Sequence, residues 1–572
     1  MKSFVRLSLA GFLTTATAWP CTTMVVTKGA SADGSVIVAH SDDSEMADPR
    51  VMYVPAKDWP TGSKRPIYPF ILGPQRYVGS SRGPGYVFPG LPLTAPLTYI
   101  DQVPHTFAYF DGTYAIMNEH QLSIGECTDA AKANVNPGPA QIDISELSRI
   151  AVERCKKARE AVVLIGKLAE QLGYYGWGET LIIADTEEAF VFEVSGTPSG
   201  KGALWAAKKV PDGTFFVAAN EFRIRDLDPK DPDTLMATDL AKTLRDLKWW
   251  NEDPSKPIDW LVAASPGEYN HPYYSLRRVW RVMDRVNPDL KLSPWVEDGY
   301  TRAYPFSIKP KNKLSVADVM SLYRDYYQDT EFDMSKGLSG GPFGDPVRFT
   351  GPYDPAQNVP TSGAYGSAST GKDPTLQGAF ERPVSIFYCG FAYVCQARGW
   401  MPSNIGGVMW LGFDAPLTTV FMPFYAGMTQ LPSSVQTGDT SVFDRKSMFW
   451  AFNYVSNYLA IKFDYMIKDV QSAQREIEGK AFAMQPAVES AALQLNSIDP
   501  KLANEYLTNY CVDNASRVLA KWWALSDTLI QKYADGYVND PSIGTKIGYP
   551  AWWRKDVGFQ NGPTSYKKPG NK

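Results

Sequence analysis

The first clear pattern in the chain is a pair of β-type runs that follow residue 20. Residues 21–27 (CTTMVVT) and 36–39 (VIVA) flank a turn-rich stretch that contains an Asp-Gly pair. Two such runs joined by this kind of turn predict a β-hairpin. With the turn centred at residues 31–32, position 21 lies opposite position 42, within a residue or two. The hairpin therefore returns residues 40–43 (HSDD) to the neighbourhood of position 21.

Three further segments show the same pairing of β-type runs around a turn. They are residues 114–124, 181–194 and 203–219. Many paired strands early in a chain predict a largely antiparallel sheet.

Helical patterns follow between and after these strands. Asp143 and Glu146 resemble a capping box for a helix that runs to about Leu172, closed by the glycine that follows. This helix is predicted to cover one face of the sheet. Residues 448–494 and 502–534 carry few Gly or Pro residues and have apolar positions three and four apart, which predicts long helices in the second half.

The first residues have the pattern of a signal peptide. Lys2 and Arg6 precede an apolar stretch, residues 7–18, that ends in the small-residue pattern of residues 16–18 (ATA). The stretch is shorter than the roughly 20 residues that a membrane-spanning helix needs, as is every other apolar run in the chain. We therefore predict export to the periplasm or the extracellular space, without stable membrane insertion.

The chain is predicted to form one elaborated domain. Residues 60–105 and 335–380 are rich in Gly, Pro, Tyr and Ser, which is typical of long surface loops or lids. The predicted organisation is a leader or short propeptide at residues 1–20, a domain at residues 21–535 with these two insertions, and an extension at residues 536–572.

Composition excludes several classes of protein. The 572 residues include 57 Lys and Arg against 61 Asp and Glu, so 57 − 61 gives a formal charge of −4. This balance lacks the dense cationic surface that nucleic-acid binding requires. With 44% hydrophobic and 13% aromatic residues, the chain is globular rather than disordered or fibrous.

The cysteines and histidines do not form a recognisable metal-binding pattern. There are 6 cysteines and 4 histidines, and the histidines are scattered along the chain. We predict neither a metal nor an organic cofactor. Among the cysteines, proximity favours a Cys389–Cys395 pair, although spacing alone does not establish a bond. If Cys21 stays free, the remaining five cannot all pair within the chain.

Cys21 is the candidate nucleophile because export processing can make it the first residue of the mature protein. A free α-amino group has a pKa of about 7.7–8.0, so it can take the thiol proton itself and replace a catalytic histidine. Cleavage after Ala18 would leave Trp19 and Pro20 in front of this amine, and a second cleavage before Cys21 would then activate the protein. Alternatively, Cys21 is a buried or disulfide-bonded residue near a processed terminus.

Several short segments, taken in order, resemble one known family. They are residues 21–26 (CTTMVV), 32–35 (ADGS), 42–43 (DD), 117–120 (MNEH), 176–185 (GWGETLIIAD), 219–224 (ANEFRI), 396–402 (QARGWMP), 423–427 (PFYAG) and 452–457 (FNYVSN). Their combination resembles the cysteine dipeptidases of the dipeptidase A and secernin family, which are N-terminal-nucleophile hydrolases. The resemblance implies an α+β protein with a four-layer αββα fold, together with long loop insertions and C-terminal helices.

The resemblance also implies a reaction. The Cys21 thiolate would hydrolyse dipeptide bonds through a thioester, with the α-amine as base and then as acid. Asn220 matches a family asparagine expected to donate a side-chain N–H to the oxyanion. Alternatively, Asn220 is an ordinary asparagine at a strand end or turn.

The chain departs from the family at His40 and Ser41, where related sequences usually carry Arg-Asn. A histidine with a pKa near 6.5 would make the enzyme more sensitive to pH than an arginine, unless His40 faces solvent. Asp42 and Asp43 follow, and either could orient the α-ammonium group or merely close the hairpin. We favour Asp43 as the catalytic one.

The substrate-binding residues are predicted from the two charged ends of a dipeptide. Glu126 could hold the ammonium group and Arg223 the carboxylate, with His40 beside them. Glu126 and Arg223 could equally form ion pairs on the surface.

Two other functions remain open from the sequence. One is an amide hydrolase of the same fold class that acts on N-acyl amines such as penicillin or bile-salt conjugates. The other is a binding protein that keeps the fold without catalysis. The sequence also leaves homo-oligomer formation open.

Overall fold

The computed structural model describes residues 21–44, 47–71, 77–88, 90–250, 256–268, 273–347, 381–539 and 544–561. The predicted leader at residues 1–20, most of the predicted loop at residues 335–380 and part of the predicted extension at residues 536–572 lie outside these ranges. None of the helices within them is both long and apolar enough to cross a membrane.

The first sheet contains the predicted N-terminal hairpin. Strand β1 pairs with β2 so that Thr22 lies opposite Ser41, which places position 21 beside position 42. The predicted register is therefore confirmed. The sheet is six-stranded and antiparallel, in the order β14-β1-β2-β16-β17-β18. Its strands are β1 (Thr22–Val26), β2 (Val36–Asp42), β14 (Phe215–Ala218), β16 (Phe391–Ala397), β17 (Val408–Phe413) and β18 (Met422–Tyr425).

The second sheet has eight antiparallel strands, in the order β15-β13-β12-β11-β10-β9-β8-β3. Its strands are β3 (Met52–Val54), β8 (Tyr109–Asp111), β9 (Ala115–Asn118), β10 (Ser123–Asp129), β11 (Gly178–Ala184), β12 (Ala189–Gly196), β13 (Ala203–Lys209) and β15 (Thr234–Met236). The β9–β10 and β11–β12 pairs confirm two of the predicted hairpins.

The third predicted hairpin, at residues 203–219, is wrong. Its first strand, β13, pairs with β12 and β15, whereas its second strand, β14, pairs with β1 in the other sheet. The intervening turn is held against the first sheet, because the Gly29 N–H donates to the Asp212 side chain at 2.6 Å and Thr27 Oγ1 donates to the Thr214 carbonyl at 2.8 Å. The turn therefore carries the chain from one sheet to the other.

The described part of the predicted loop at residues 60–105 contains short strands. Short strands β4 (Lys57–Asp58) and β7 (His105–Thr106) form one ribbon, and β5 (Lys64–Ile67) and β6 (Thr98–Asp101) form another. Buried Arg65 and Arg82 both form ion pairs with Glu146 and Glu153, which anchor this segment to the helical layer. A third ribbon joins β19 (Tyr537–Val538) and β20 (Thr545–Lys546).

The predicted helix at residues 143–172 is two helices, α1 (Ile144–Arg154) and α2 (Ala158–Leu172). The Asp143 side chain accepts the Ser145 and Glu146 N–H groups, so the predicted N-terminus is confirmed. The Glu146 carboxylate is paired with arginines instead of completing a capping box. Gly173, at φ 72°, ends the second helix as predicted.

Long helices dominate the second half, as predicted. They are α8 (Met448–Leu459), α9 (Phe463–Ile498) and α10 (Pro500–Lys532). The shorter ones are α3 (Leu240–Asp246), α4 (Trp260–Ala264), α5 (Leu276–Val286), α6 (Val316–Tyr323), α7 (Ser403–Gly406) and α11 (Ala551–Asp556).

The two sheets contact each other, and each also contacts its own helices. Strands β1 and β2 of the first sheet touch β10 and β11 of the second. Helices α1 and α2 contact the eight-stranded sheet, whereas α5, α6, α8, α9 and α10 contact the six-stranded sheet. The predicted α+β class is therefore confirmed. Gly125 permits the close approach of β10, because a Cβ there would lie 2.2 Å from Thr23 Oγ1.

Candidate active site

Cys21 lies directly before β1 and is fully buried. Its carbonyl oxygen accepts a hydrogen bond of 3.0 Å from Arg278 Nη1, which also donates to Thr22 Oγ1 at 3.0 Å. The Tyr323 hydroxyl donates to the Thr22 carbonyl at 2.9 Å. These contacts fix the main chain on either side of the Cys21–Thr22 peptide bond and hence the position of the thiol.

The thiol of Cys21 lies among carboxyl groups. Burial raises its pKa well above the ordinary value, and the nearby Glu126, Asp42 and Asp43 carboxylates raise it further. A hydrogen bond from the backbone N–H of Asp43 opposes this shift. The thiol is therefore protonated at neutral pH in this state, and attack on a substrate requires a base to remove its proton.

His40 is buried on β2, opposite Thr23 of β1. Its Nδ1 lies 2.8 Å from the Glu126 carbonyl oxygen. Burial lowers the pKa of His40 to about 3, so the imidazole is neutral across the physiological range. The structure therefore contradicts both a solvent-facing His40 and the pH sensitivity expected from its titration.

Glu126 and Glu179 form a hydrogen-bonded pair of buried carboxyl groups on the adjacent strands β10 and β11. Thr128 Oγ1 also donates to Glu126 Oε1 at 3.0 Å. Burial raises the pKa of Glu126 to about 7, and burial together with the Glu126 charge raises that of Glu179 well above its ordinary value. Because like charges this close disfavour double ionisation, the pair retains a proton near neutral pH. Glu126 is therefore not a surface residue.

The Asp43 carboxylate forms a fully buried ion pair with Arg382. It also accepts a hydrogen bond from the Ser41 hydroxyl, at 3.3 Å, and lies beside the Cys389 thiol. Burial raises the pKa of Asp43, and Arg382 opposes this shift. Asp43 contacts Cys21 through its backbone N–H. Its carboxylate instead interacts with Arg382 and Ser41.

Asn220 follows β14 and is fully buried, with φ at 67°, a conformation that asparagine tolerates better than most residues. Its Nδ2 donates to the Thr128 carbonyl at 2.5 Å, and its Oδ1 accepts from Arg278 Nη2 at 2.6 Å. The Asn220 backbone N–H donates to Cys127 Sγ at 2.7 Å. An amide nitrogen carries two N–H donors, so one remains for a substrate oxygen.

Arg223 occupies a different environment. Its Nη2 donates to the carbonyls of Tyr304, at 3.3 Å, and Pro305, at 2.9 Å. The Glu193 carboxylate accepts the backbone N–H groups of Arg223 and Ile224 at 2.6 and 3.1 Å. Arg223 is 5% exposed, which excludes a surface ion pair, and its role as a carboxylate clamp stays a prediction. The structure therefore brings Cys21 together with His40, Glu126, Asp43 and Asn220, and holds Arg223 apart on main-chain carbonyls.

Comparison with known proteins identifies the family of the chain. The sequence profile described as peptidase family C69 matches residues 20–64 and 110–476, which is more than half of the chain. The chain belongs to peptidase family C69. This membership confirms the predicted resemblance to cysteine dipeptidases, and the protein is an enzyme of the cysteine peptidase type.

Three curated relatives illustrate what this C69 peptidase is similar to. The chain is 25% identical over 416 residues to a probable dipeptidase of Salmonella dublin, covering 71% of this chain and 81% of the relative. It is 23% identical over 516 residues to probable dipeptidase A of Streptococcus pyogenes serotype M3, covering 88% and 96%. It is 24% identical over 448 residues to dipeptidase A of Lactobacillus helveticus, covering 75% and 80%.

A solved structure of penicillin V acylase from Agrobacterium tumefaciens also resembles the chain. The sequence identity is 11%, the TM-score is 0.27, and the match covers 72% of this chain and 87% of that one. A likeness of this size supports no argument about the activity of this C69 peptidase.

Sequence reasoning missed three residues of the site. Arg278 and Arg382 are fully buried and contact Cys21 and Asp43, respectively, and Glu179 pairs with Glu126. The only available signal for Arg278 was the high content of arginine in an otherwise apolar helical stretch (LRRVWRVMDRV). Helical periodicity alone does not identify which arginine faces a site.

The same cluster includes a set of atoms that could bind a metal ion. A Cys21 sulfur, a His40 ring nitrogen and a Glu126 carboxylate oxygen lie within 4.8 Å of one another. Thiolate, imidazole and carboxylate are ligands that Zn²⁺ accepts. A cation bound there would occupy the thiol and therefore block it as a nucleophile.

All six cysteines lie in the described part of the chain, and each is a free, buried thiol. The favoured Cys389–Cys395 pair is therefore wrong. The thiol of Cys389 donates to the Phe391 carbonyl at 3.2 Å, while Cys395 is held inside β16, opposite Met409 of β17. A disulfide-bonded Cys21 is excluded by the same observation.

Proposed function

We propose that this C69 peptidase is an exported dipeptidase whose nucleophile is the thiol of Cys21. The observation that carries the proposal is the position of Cys21 at the start of β1, beside a buried carboxyl pair and a buried amide donor. The names of the curated relatives supply the substrate class, because they are called dipeptidases.

The proposed architecture is the four-layer αββα arrangement of N-terminal-nucleophile hydrolases. Helices α1 and α2 form one outer layer, the two facing sheets form the middle layers, and α5, α6 and α8–α10 form the other outer layer. In this arrangement Cys21 lies on the inner side of the six-stranded sheet, where β10 brings Glu126 to it.

We propose that removal of residues 1–20 activates the enzyme. Cleavage before Cys21 would create an α-amine next to the thiol, and this amine supplies the base that the raised pKa of the thiol demands. The signal-peptide pattern of residues 7–18 supports export as the first processing event.

The reaction proceeds through a thioester. The α-amine removes the thiol proton, and the sulfur attacks the carbonyl carbon of the dipeptide bond. The oxyanion that forms accepts the remaining N–H of Asn220. The protonated α-amine then gives its proton to the departing amine, the thioester forms, and water completes hydrolysis by the same route.

Glu126 fits the ammonium end of the substrate. In a dipeptide the α-ammonium is separated from the scissile carbonyl carbon by a single Cα atom. A carboxylate beside Cys21 therefore reaches the ammonium when the carbonyl lies at the sulfur.

The ionisation of Glu126 predicts a pH dependence. Since the pKa of Glu126 is raised to about 7 and only the carboxylate form binds an ammonium group, kcat/KM should rise as the pH increases through 7. Glu126→Gln should raise KM by about 10- to 100-fold. It should also remove the fall in kcat/KM that protonation of Glu126 causes on the acid side of the pH profile. The measurement is kcat/KM against pH for both enzymes.

Asp414→Asn is the matched control for this experiment. Asp414 is also buried, its pKa is raised to about 6 by burial, and it pairs with Asn453 instead of the thiol. Its φ of 63° suits asparagine. The control should keep the wild-type profile. An acid limb that survives unchanged in Glu126→Gln would contradict the ammonium-binding role.

The test of the whole proposal combines processing and substrate. The chain is expressed with residues 1–20, and the purified protein is examined by intact mass, N-terminal sequence and rate on dipeptides and on N-acyl amines, with and without a chelator. We expect a chain that begins at Cys21 and prefers dipeptides. A fully active chain that begins at Trp19 would contradict the α-amine as base, and preference for N-acyl amines would favour the acylase alternative.

A further inference from the structure

An arginine enclosed by aromatic rings lies on helix α5. The guanidinium carbon of Arg277 is 3.7 Å from the ring centre of Phe332, 4.1 Å from that of Tyr273 and 4.8 Å from that of Trp295. Arg277 is only 1% exposed. Tyr273 has φ 84°, which a bulky residue rarely adopts, so its ring is held over the guanidinium at a cost in backbone strain.

The polar edge of this guanidinium makes few contacts with the described residues. Nε and Nη1 of Arg277 are buried and make no hydrogen bond to any residue that the structure describes. The nearest carboxylate oxygen, Oε1 of Glu381, is 3.5 Å from Nη1 and therefore forms a loose ion pair. Buried N–H donors are nearly always satisfied, because an unsatisfied one is costly. The Glu381 side chain is 27% exposed, so the carboxylate of this pair borders solvent while the guanidinium is buried.

This pair joins the same two chain segments that hold the proposed nucleophile. The next residue after Arg277 is Arg278, which donates to the Cys21 carbonyl. The next residue after Glu381 is Arg382, which pairs with Asp43. Arg277 and Glu381 are therefore each next in sequence to an arginine that contacts Cys21 or Asp43.

A dipeptide carries an anionic group close to its scissile bond. Its carboxylate follows the scissile bond by one residue, roughly 3.5 Å of extended chain. A guanidinium with unpaired N–H groups is a preferred protein partner of a carboxylate. Arg223 is a weaker candidate, because its Nη2 already donates to two main-chain carbonyls and only its Nε, among its buried nitrogen atoms, lacks a hydrogen bond to the described residues.

We propose that Arg277 binds the C-terminal carboxylate of the substrate and displaces the loose contact with Glu381. The inference rests on the proposed dipeptidase function and identifies what restricts the enzyme to dipeptides. A longer peptide would place an uncharged amide against Arg277, leaving its buried charge without an anion. The enzyme then selects dipeptides by the negative charge at the C-terminal end of the substrate.

The experiment compares dipeptides with their C-terminal carboxamides. A panel with small, aromatic and charged side chains is assayed in both forms, using wild-type enzyme and Arg277→Gln. Wild type should prefer the free acids by about 10- to 100-fold in kcat/KM, mainly through KM. Arg277→Gln should raise KM for the free acids by a similar factor and leave the carboxamides nearly unchanged, so the preference disappears.

Two further variants keep the inference falsifiable if Arg277→Gln does not fold. Glu381→Gln removes the competing carboxylate and should lower KM for the free acids without changing that for the carboxamides. Arg285→Gln, which lies two turns further along α5 and contacts Ser321 and Asp325, should retain the wild-type preference.

The outcomes separate this inference from the proposed function. If wild type hydrolyses dipeptides but shows no preference for free acids, or if Arg277→Gln keeps the preference, the role of Arg277 is wrong and the dipeptidase proposal stands. An unchanged KM for free acids in Glu381→Gln also counts against the inference. If no dipeptide in the panel is hydrolysed by correctly processed wild type, the proposed function fails and the inference fails with it.

Discussion

Cys21→Ala should lower kcat/KM for dipeptides on the order of 10⁴-fold or more, while the protein remains folded. The reason is that the variant lacks the only atom positioned to form the thioester, and loss of a nucleophile removes most of the catalysis that its partners support. The side chain is small and buried, so removing its sulfur leaves only a minor cavity. The measurement is single-substrate kinetics on enzyme whose N-terminus has been sequenced.

The control for this experiment is Cys511→Ala. Cys511 is equally buried, but it lies in the middle of α10, outside the set of residues around Cys21. Its replacement should leave kcat and KM close to wild type. Alkylation by iodoacetamide should inactivate the Cys511 variant and wild type alike. Residual activity above about 1% in Cys21→Ala would contradict covalent catalysis by this thiol.

Asn220→Gly should lower kcat by about 100- to 1000-fold with a small effect on KM. An oxyanion donor acts on the transition state more than on the bound substrate, which explains the split between the two constants. Glycine is the suitable replacement because residue 220 has φ 67°, where alanine would be strained. The variant also removes one acceptor of Arg278, the Asn220 Oδ1 atom, so we expect a lower Tm.

Asn220→Asp separates catalysis from stability. The carboxylate keeps an acceptor for Arg278 but places an oxygen against the Thr128 carbonyl, and an ionised carboxylate cannot donate to an oxyanion. We expect kcat at least as low as in Asn220→Gly, with the Arg278 contact retained. Equal kcat in Asn220→Asp and wild type would exclude Asn220 as the donor, whatever the thermal melts show.

The parts of the fold that the sequence could predict depend on short-range patterns. Alternation and an Asp-Gly turn were sufficient for the β1–β2 hairpin, including the register that sets position 21 beside position 42. A turn signal does not specify the sheet that the next strand joins, which is why residues 203–219 were assigned to one hairpin instead of two sheets. Similarly, helical periodicity continued across Cys155 and hid the break between α1 and α2.

In the candidate site, too, the residues in local motifs could be predicted and the residues brought in by long-range packing could not. Cys21 and Asn220 stood in recognisable segments, whereas the arginines around them are supplied by distant parts of the chain. Arg278 is 257 residues from its contact at Cys21, and Arg382 is 339 residues from Asp43. Contacts over such separations arise from packing of the two sheets and their helices, and no local pattern encodes them. His40 shows the same limit, because its pKa is set by burial that the sequence does not reveal.

The six free thiols have a consequence for handling the enzyme. Because no disulfide links the cysteines, a strong reductant removes no covalent constraint from the fold. The same reductant protects the Cys21 sulfur from oxidation to sulfenic and sulfinic acids once processing has exposed it. The processed enzyme can therefore be stored and assayed under dithiothreitol without breaking a disulfide.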